Sequence, residues 1–382
     1  MAEEFRLGIG GPLHRLERAA HLEPLGRLVP LLLAMTWVPL VVLALVQRAM
    51  SGGADDSLIR DLSVHARLLV AMPLFVVAER LLDRAGVITV ARLFDEGYVP
   101  PSATARVRAL LRSVERWRDA ALPESLLLVA ALLAGVLALG GWTSPAGAIH
   151  GLERSRWDAV RIWYGLASLP IFQFLLWRSL FRWLLWLRVL AGVARVPLRL
   201  LPAHADRRAG IAFLRVAHVL YSSVMLLATS AVLCAGWETQ LQIHKAPVAT
   251  FRAPLFVFVV IGLVITFAPL LVFTPQLMRA RILGVRQYGG LVSDYTRRFH
   301  ERWLARPDRD DLLGTPDVQS LSDLSNAYQG NVDKLGVFLF LRVDALLVLI
   351  ASLLPVVPLL LVQSPAPEVI KRIVGMLAGK MP

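Results

Sequence analysis

A polar turn, LPAHADRRAG at residues 201–210, places a histidine, an aspartate and two arginines between two long apolar runs. Side chains of these types can ligate a metal, hold a proton, line an ion pathway or begin a helix. A metal site generally needs three or four ligands, and His204 with Asp206 supplies two at most. We therefore expect Asp206 to cap a helix that begins near Arg207, by accepting hydrogen bonds from free backbone N–H groups. An ion or proton pathway through the turn is the functional alternative.

Glu79 is an acidic residue near the end of a short apolar run, residues 66–82. Such a carboxylate either reaches the membrane interface, beside Arg80 and Arg84, or faces the interior of a helix bundle and pairs there. Its position near the basic end of the run favours the interface. In the interior, desolvation would raise its proton affinity and make it a candidate for proton transfer.

Charged residues also stand in two other apolar runs. Arg342 and Asp344 are two positions apart, so on a helix they point roughly 200° apart and cannot simply pair with each other. We expect Arg342 at the interface and Asp344 in the interior, paired with an arginine of another helix. Arg178 and Arg182 are four positions apart and share a helix face. This spacing favours contact with lipid headgroups over an anion-attracting lining.

The sequence contains no pattern of familiar catalytic or metal chemistry. It has no nucleophile elbow, Gly-rich phosphate loop, kinase pattern, HExxH or CxxC spacing. We therefore predict no catalytic residues, no cofactor and no metal site, and an enzyme is not expected. The single cysteine, Cys234, lies within an apolar run and is expected to pack as a small side chain.

The composition indicates that these residues belong to an integral membrane protein. Hydrophobic residues make up 56% of the chain and the mean hydropathy is +0.60. Runs near the roughly 20 residues needed to cross a hydrocarbon core as a helix predict an all-α polytopic transmembrane bundle, a single domain over residues 1–382. The predicted spans lie near residues 28–47, 66–82, 122–142, 159–187, 211–237, 254–274 and 337–362. Pro355 and Pro358 could let the seventh run re-enter the membrane, which would leave six spans.

The net charge of +13 comes mostly from arginine, and arginine-rich loops alternate with poorer ones. By the positive-inside rule this alternation places the N-terminus in the cytoplasm. The expected partner of the basic residues is the lipid bilayer with its anionic headgroups. Nucleic acid is not an expected partner, because no recognition signature accompanies the positive charge.

Two arginine-rich cytoplasmic segments, residues 83–121 and 276–336, are predicted to form amphipathic helices. In the second segment Tyr295, Phe299 and Trp303 are four apart and form an aromatic stripe on a basic helix. Packing against the underside of the bundle is the ordinary interpretation. Contact with a partner protein or with a second copy of the chain, in a homo-oligomer, is the alternative.

Several stretches together resemble a family of uncharacterised bacterial multi-pass membrane proteins. The turn LPAHADRRAGIAFL at residues 201–214 is similar to the pattern LPxHPDxxGGLxFL. It departs from that pattern at Ala205, where proline is expected, and at Ala209, where glycine is expected. The resemblance extends over most of the chain and implies location in the bacterial inner membrane, but it implies no activity. Residues 365–382 are read as a C-terminal amphipathic tail lying at an interface.

Prolines in five spans, together with charged residues in apolar runs, are features of channels and transporters. We hypothesise a channel or transporter-like protein for an ion or small solute, with these pathway candidates: Glu79, His204, Asp206, Arg342 and Asp344. The alternative is a membrane-bound scaffold or sensory protein that binds a partner through its aromatic stripe. A transporter predicts a continuous polar cavity that reaches Glu79 and Asp344, whereas a scaffold predicts an exposed aromatic patch.

Overall fold

A computed structural model describes residues 5–8, 10–21, 24–50, 61–139, 159–244, 248–305 and 315–358. Within these ranges the chain is almost entirely helical and contains no strand, which confirms the predicted all-α polytopic bundle. The main helices of the described chain are α1 (Pro12–Ala19), α2 (Leu25–Met50), α3 (Leu62–Asp95), α4 (Pro101–Asp119), α5 (Ala121–Leu139), α6 (Ala159–Ala194), α7 (Leu214–His244), α8 (Arg252–Leu304), α9 (Pro316–Ala327) and α10 (Arg342–Leu353).

Six of these helices are long and apolar enough to cross a membrane: α2, α3, α5, α6, α7 and α8. A helix satisfies all its internal backbone hydrogen bonds within one segment, which is why apolar runs of this length become helices in a bilayer. The first six predicted spans each fall largely within one of these helices. The shortest, α5, has 19 residues and is about 28 Å long, close to the thickness of the hydrocarbon core.

The seventh predicted span, residues 337–362, is not one continuous helix in the described part of the chain. Residues 335–341 are non-helical, and α10 then covers 12 residues, about 18 Å, before the chain turns at Leu354 and Pro355. Proline lacks the N–H that would continue the helix. The described chain therefore fits the alternative of six spans and a shorter seventh element. Residues 359–382, including the predicted tail, lie outside the described residues.

The sixth span and the basic cytoplasmic helix form a single helix. Because α8 contains 53 residues, it is about 80 Å long, more than twice the thickness of a hydrocarbon core. A 3₁₀ turn at Ala268–Phe273 accommodates Pro269 without ending the helix. The second half of α8 projects beyond the membrane-spanning part, and α9 packs beside it.

The buried centre of the bundle is formed by α3, α6 and α7. In the most apolar stretch of these three helices 56%, 50% and 50% of the residues are buried, against 17%, 22% and 17% in α2, α5 and α8. Large side chains such as Phe75, Trp186 and Tyr221 fill this centre. The apolar surfaces of α2, α5 and α8 are correspondingly exposed, as expected for helices that face lipid tails.

Candidate functional site: a buried charge cluster

Five charged side chains from four helices meet inside the bundle, and we call them the charge cluster. Its members are Glu17 of α1, Glu79 of α3, Glu124 of α5, and Arg178 and Arg182 of α6. Each residue is at most 7% exposed. Because the two arginines lie one turn apart on one face of α6, both guanidinium groups can meet acids from the surrounding helices.

Arg178 lies at the centre of the cluster. Each of its three guanidinium nitrogens pairs with a different glutamate. Nη1 is 3.4 Å from Oε1 of Glu17, Nη2 is 3.6 Å from Oε2 of Glu79, and Nε is 3.6 Å from Oε1 of Glu124. Arg182 lies 3.9 Å from Glu79 and 3.8 Å from Glu124. Charge-assisted hydrogen bonds are usually about 2.7–2.9 Å long. The cluster is therefore held mainly by charge attraction and not by short hydrogen bonds.

The N-terminal segment, residues 5–8 and 10–11, covers one side of the charge cluster. Arg182 donates hydrogen bonds to the carbonyl oxygens of Leu7, at 2.9 Å, and Gly10, at 3.1 Å, and also contacts that of Gly8. These carbonyls supply Arg182 with acceptors that its long ion pairs do not provide. Gly10 and Gly11 have φ values of 150° and 90°, a region that favours glycine.

Carboxylates of three helices hold the same segment from the other direction. The backbone N–H of Gly8 donates to Asp83 at 2.9 Å, that of Gly11 to Asp119 at 3.1 Å, and that of Leu13 to Glu124 at 3.1 Å. Burial opposes ionisation of Asp119, but hydrogen bonds from Arg118 and from the Gly11 N–H hold the pKa of Asp119 below its usual value. Glu124 thus links the N-terminal segment directly to the charge cluster.

A cavity of ≈ 330 Å³ lies beside the charge cluster, between α1, α2, α3 and α6. Its polar end is formed by Glu17, Glu79, Arg80 and Arg178. Arg80 stands at the edge of the cluster, with 17% of its side chain exposed and Nη2 3.6 Å from Oε2 of Glu17. The apolar walls are formed by Leu28, Leu31, Leu32, Val76 and Leu175. The cavity therefore combines a charged end with a hydrophobic body.

Polar groups continue from the charge cluster into the centre of the bundle. The hydroxyl of Ser179 donates to Oε1 of Glu79 at 3.3 Å, and the hydroxyl of Tyr221 donates to the carbonyl oxygen of Ser179. About one turn before Tyr221 in α7, the ring of His218 stacks on Trp183 of α6, with 6.3 Å between the ring centroids. These hydrogen bonds connect the buried faces of α3, α6 and α7.

The structure corrects two predictions about charged residues. The sequence favoured an interfacial Glu79 beside Arg80 and Arg84, but Glu79 faces the interior and pairs with Arg178 and Arg182. The two arginines, in turn, do not reach headgroups. The glutamate and the two arginines compensate one another's charge, which makes their burial tolerable. The predicted interfacial position is therefore wrong for Glu79, Arg178 and Arg182.

Sequence reasoning missed Glu17 and Glu124 as members of this site. Glu17 precedes the first span, and Glu124 stands in the first turn of α5, so each has an ordinary explanation as a helix-end residue. One signal was present. Two arginines on one face of an apolar span require acidic partners if that face turns inward, and Glu79 and Glu124 both stand near the basic ends of their spans.

The turn at residues 201–210 is a compact loop between α6 and α7. The prediction that a helix begins near Arg207 is wrong. The next helix, α7, begins at Leu214. The carboxylate of Asp206 instead accepts hydrogen bonds from the backbone N–H groups of Arg208 (2.8 Å), Gly210 (2.9 Å) and Ala212 (3.0 Å). Burial opposes ionisation of Asp206, but these donors and His204 hold its pKa below the usual value. Asp206 therefore organises the loop itself.

The backbone of this loop takes an unusual path. Arg207, Ala209 and Gly210 have φ values of 53°, 55° and 92°, in the left-handed region. Ala209 stands where the resembling pattern has glycine, and a positive φ is a physical reason to prefer glycine there. His204, with 37% of its side chain exposed, places Nδ1 2.9 Å from Oδ1 of Asp206. The two residues are thus neighbours in a loop at one end of the bundle.

Asp344 is buried and pairs with Arg215 of α7, whereas Arg342 is exposed. This is the arrangement that the sequence predicted. Asp344 also accepts a hydrogen bond from the backbone N–H of Leu341 at 2.6 Å, at the start of α10. One carboxylate therefore both caps α10 and joins it to α7.

The five pathway candidates form two separate groups. The loop and α10 belong together, because Gly336 donates a backbone hydrogen bond to Arg207 and the charge of Arg208 interacts with both Asp206 and Asp344. Glu79 lies 16 residues before the end of α3, about 24 Å along the helix. The cavity at Glu79 is not lined by Asp344, so it is not the continuous polar cavity reaching both carboxylates that the transporter hypothesis predicted.

The aromatic stripe on α8 contacts the chain's own helix α9. The indole N–H of Trp303 donates to Oδ2 of Asp317 at 2.9 Å, and the hydroxyl of Tyr295 donates to the carbonyl oxygen of Asp317 at 3.3 Å. Trp303 is buried, while Tyr295 and Phe299 are half-buried. The stripe therefore does not form the open aromatic patch that a scaffold predicts.

Among the residues that the structure describes, no group of three or more His, Cys, Asp or Glu side chains is placed to hold a metal ion. Comparison of the chain with protein-family models, with curated proteins and with solved structures gave no match. The charge cluster and its cavity are the features from which a function can be inferred.

Proposed function

We propose that this chain is a membrane transport protein, a channel or transporter for an ion or small solute, and that the charge cluster is its polar site. The observation that carries the proposal is a cluster of five buried charged side chains beside a cavity, four of them on helices long and apolar enough to cross a membrane. Ionisable groups inside membrane helices are rare and commonly mark substrate, ion or proton pathways. The ion-pair distances of 3.4–3.9 Å are longer than those of close charge-assisted hydrogen bonds, so these groups keep hydrogen-bonding capacity toward water or a solute that enters the cavity beside them.

The proposal includes location in the bacterial inner membrane with the N-terminus in the cytoplasm. It is supported by the arginines of the projecting half of α8, which would lie near anionic headgroups: Arg279, Arg281, Arg286, Arg297 and Arg298. In this orientation the charge cluster lies towards the cytoplasmic end of the spans. The N-terminal segment then covers it from the cytoplasmic side.

The scaffold or sensory alternative has less support. Its partner-binding residues were Tyr295, Phe299 and Trp303, and two of them form hydrogen bonds with Asp317 of the same chain. An aromatic side chain already packed in this way offers little area for another protein.

Proton and ion flux into liposomes that contain the purified protein tests the transport proposal. Flux driven by a pH gradient is compared for the wild type and Glu79→Gln, with Asp95→Asn as the matched control. Asp95 is an exposed carboxylate at the end of the same helix. We expect Glu79→Gln to abolish flux, because the glutamine can neither bind a proton nor carry charge, while Asp95→Asn transports normally.

A second variant separates loss of transport from loss of folding. Removing one partner of a buried ion pair destabilises a protein by about 3–5 kcal/mol. The double variant Glu79→Gln/Arg182→Gln removes one negative and one positive charge, so it leaves the net charge of the cluster unchanged while it removes the same carboxylate. Wild-type flux in both variants, or no wild-type flux above that of empty liposomes with any ion, contradicts the proposal.

A further inference from the structure

We propose that the cavity beside the charge cluster binds a zwitterionic amphiphile, a molecule with an ammonium and a phosphate group at one end and an acyl chain at the other. The ligand occupies the site of the proposed function, so the inference that the protein moves this ligand across the bilayer rests on that function. Binding of the ligand does not depend on transport and is measured separately.

The charge balance of the site selects a ligand without net charge. The three carboxylates of the charge cluster face three guanidinium groups, those of Arg178, Arg182 and the neighbouring Arg80. Glu17 also lies 3.4 Å from Nδ1 of His14, whose ring leaves this balance at zero when it is neutral. A ligand with a single charge would leave one buried charge without compensation, which is strongly unfavourable in a medium of low dielectric constant. A ligand that carries both charges can be inserted between the existing pairs and leave the sum at zero.

The groups at the polar end match both charges of such a headgroup. Glu17 and Glu79 offer carboxylate oxygens to an ammonium group, and Arg80 and Arg178 offer guanidinium N–H groups to a phosphate. The Nε atom of Arg178 forms no hydrogen bond with the described residues. The carboxylate oxygen paired with Nε is Oε1 of Glu124, 3.6 Å away. Arg80 is likewise 3.6 Å from Glu17. Both arginines therefore retain hydrogen-bonding capacity toward a ligand.

The walls of the cavity explain why the ligand is an amphiphile and not a soluble zwitterion. Leu28, Leu31 and Leu32 of α2 form one wall, and Val76 of α3 and Leu175 of α6 complete the apolar lining. Leu31 is 37% exposed, and α2 is a peripheral helix, so this wall reaches the lipid-facing surface. An acyl chain can thus lie along α2 and enter from the bilayer, while the headgroup reaches the charged end. Each CH₂ group of the chain that is removed from water strengthens binding further.

Binding to the purified full-length protein in detergent tests the proposal. Native mass spectrometry compares three probes with the same acyl or alkyl chain: lysophosphatidylethanolamine (zwitterionic), lysophosphatidylglycerol (anionic) and an alkylammonium (cationic). Free phosphoethanolamine, which lacks the chain, is the fourth probe. We expect the zwitterionic amphiphile to bind about tenfold or more tightly than the other three, since one charge-assisted hydrogen bond contributes at least that factor.

Arg80→Gln and Arg84→Gln form a matched pair of variants. Arg80 lines the cavity, whereas Arg84 is exposed one turn further along α3 and is not part of the lining. We expect Arg80→Gln to weaken binding of the zwitterionic probe by about 10- to 100-fold and Arg84→Gln to leave it unchanged. Both positions are partly exposed, so both variants are expected to fold, and their helix content is checked by circular dichroism.

Equal binding of the three chain-bearing probes, or wild-type affinity in Arg80→Gln, would overturn the proposal. The outcome is independent of transport. Selective binding without any flux retains the binding site and contradicts the transport function. Flux that depends on Glu79, together with unselective binding, retains transport and contradicts the zwitterionic ligand.

Discussion

Buried carboxylates in this protein are stabilised in two different ways at the level of single residues. Glu79 is compensated by two arginines of another helix, whereas Asp206 is compensated mainly by backbone N–H groups of its own loop. Backbone donors are fixed by the fold and carry no titratable proton. Asp206 therefore contributes to stability mainly through its own ionisation, and His204, with Nδ1 2.9 Å from Oδ1, is the titratable side chain beside it.

Asp206→Asn is expected to destabilise the protein at neutral pH. The asparagine side chain has one acceptor oxygen, and its NH₂ group would face a backbone donor that the carboxylate now accepts. Hydrogen bonds to a charged group contribute about 1.5–3 kcal/mol, and we expect a loss of this size. Thermal unfolding in detergent, followed by tryptophan fluorescence, measures it.

The pH dependence of the stability difference between the wild type and Asp206→Asn is a sharper test. Because the folded protein lowers the pKa of Asp206, the contribution is complete above the ordinary carboxyl pKa of about 3.9 and is lost as pH falls through the lower folded value. The melting temperatures of wild type and Asp206→Asn should thus still differ at about pH 5, where the Asp206 carboxylate is ionised, and converge below about 4. A difference that already disappears near pH 6 would contradict the assignment to Asp206.

At the level of elements, the long helix α8 depends on α9 for cover of its projecting half. A single carboxylate, Asp317, accepts the hydrogen bond from Trp303 and pairs with Arg302 at 3.1 Å. The hydrogen bond from Tyr295 goes to the backbone of Asp317 and does not need its side chain. Most side-chain contacts that attach the start of α9 thus pass through one residue.

Asp317→Asn is expected to loosen α9 without affecting the spans. Arg302 is largely exposed, so we expect a loss of about 1 kcal/mol, which corresponds to roughly fivefold faster amide hydrogen exchange in residues 316–327. Hydrogen exchange with mass spectrometry measures the rates. Asp323→Asn is the control, because Asp323 accepts only a local bond from Gln319 of the same helix. Equal protection in both variants would show that the Asp317 side chain does not hold α9.

The whole molecule has opposite ends that the proposed orientation assigns to opposite sides of the membrane. Helix α2 has 26 residues and is about 39 Å long, enough to separate two aqueous compartments. Ala20 is exposed just before it and Met50 is exposed at its end. The only cysteine, Cys234, is buried and can be replaced by serine to give a background without thiols.

Ala20→Cys and Met50→Cys in that background test the orientation. We expect a membrane-impermeant maleimide to label Met50→Cys in intact spheroplasts and Ala20→Cys only after permeabilisation, because the basic residues keep the N-terminal side in the cytoplasm. The reverse pattern would contradict the orientation. Labelling of both cysteines in intact spheroplasts would contradict α2 as a membrane span.

Local sequence was sufficient for the helices and most of their positions. A run of apolar residues can cross a bilayer only with its backbone hydrogen bonds satisfied within the run, so length and hydropathy determine a span without reference to its neighbours. The six long spans follow in this way. The amphipathic helices predicted within residues 83–121 and 276–336 are also present, at Pro101–Asp119 and Pro316–Ala327 among others. The inward position of Asp344 followed from the same kind of argument, since Arg342 on the other side of the helix could not be its partner.

The partners of the buried charges were decided only by the tertiary structure. Glu17 and Arg178 are 161 residues apart, and Arg215 and Asp344 are 129 apart. Periodicity assigns a charge to a face of its helix, but which helix covers that face depends on how all the spans pack. The free energy of burying a charge depends on that neighbour, so the same glutamate is interfacial in one packing and interior in another. For this reason the sequence determined the membrane bundle, whereas only the packing of α1, α3, α5 and α6 against one another created the charge cluster.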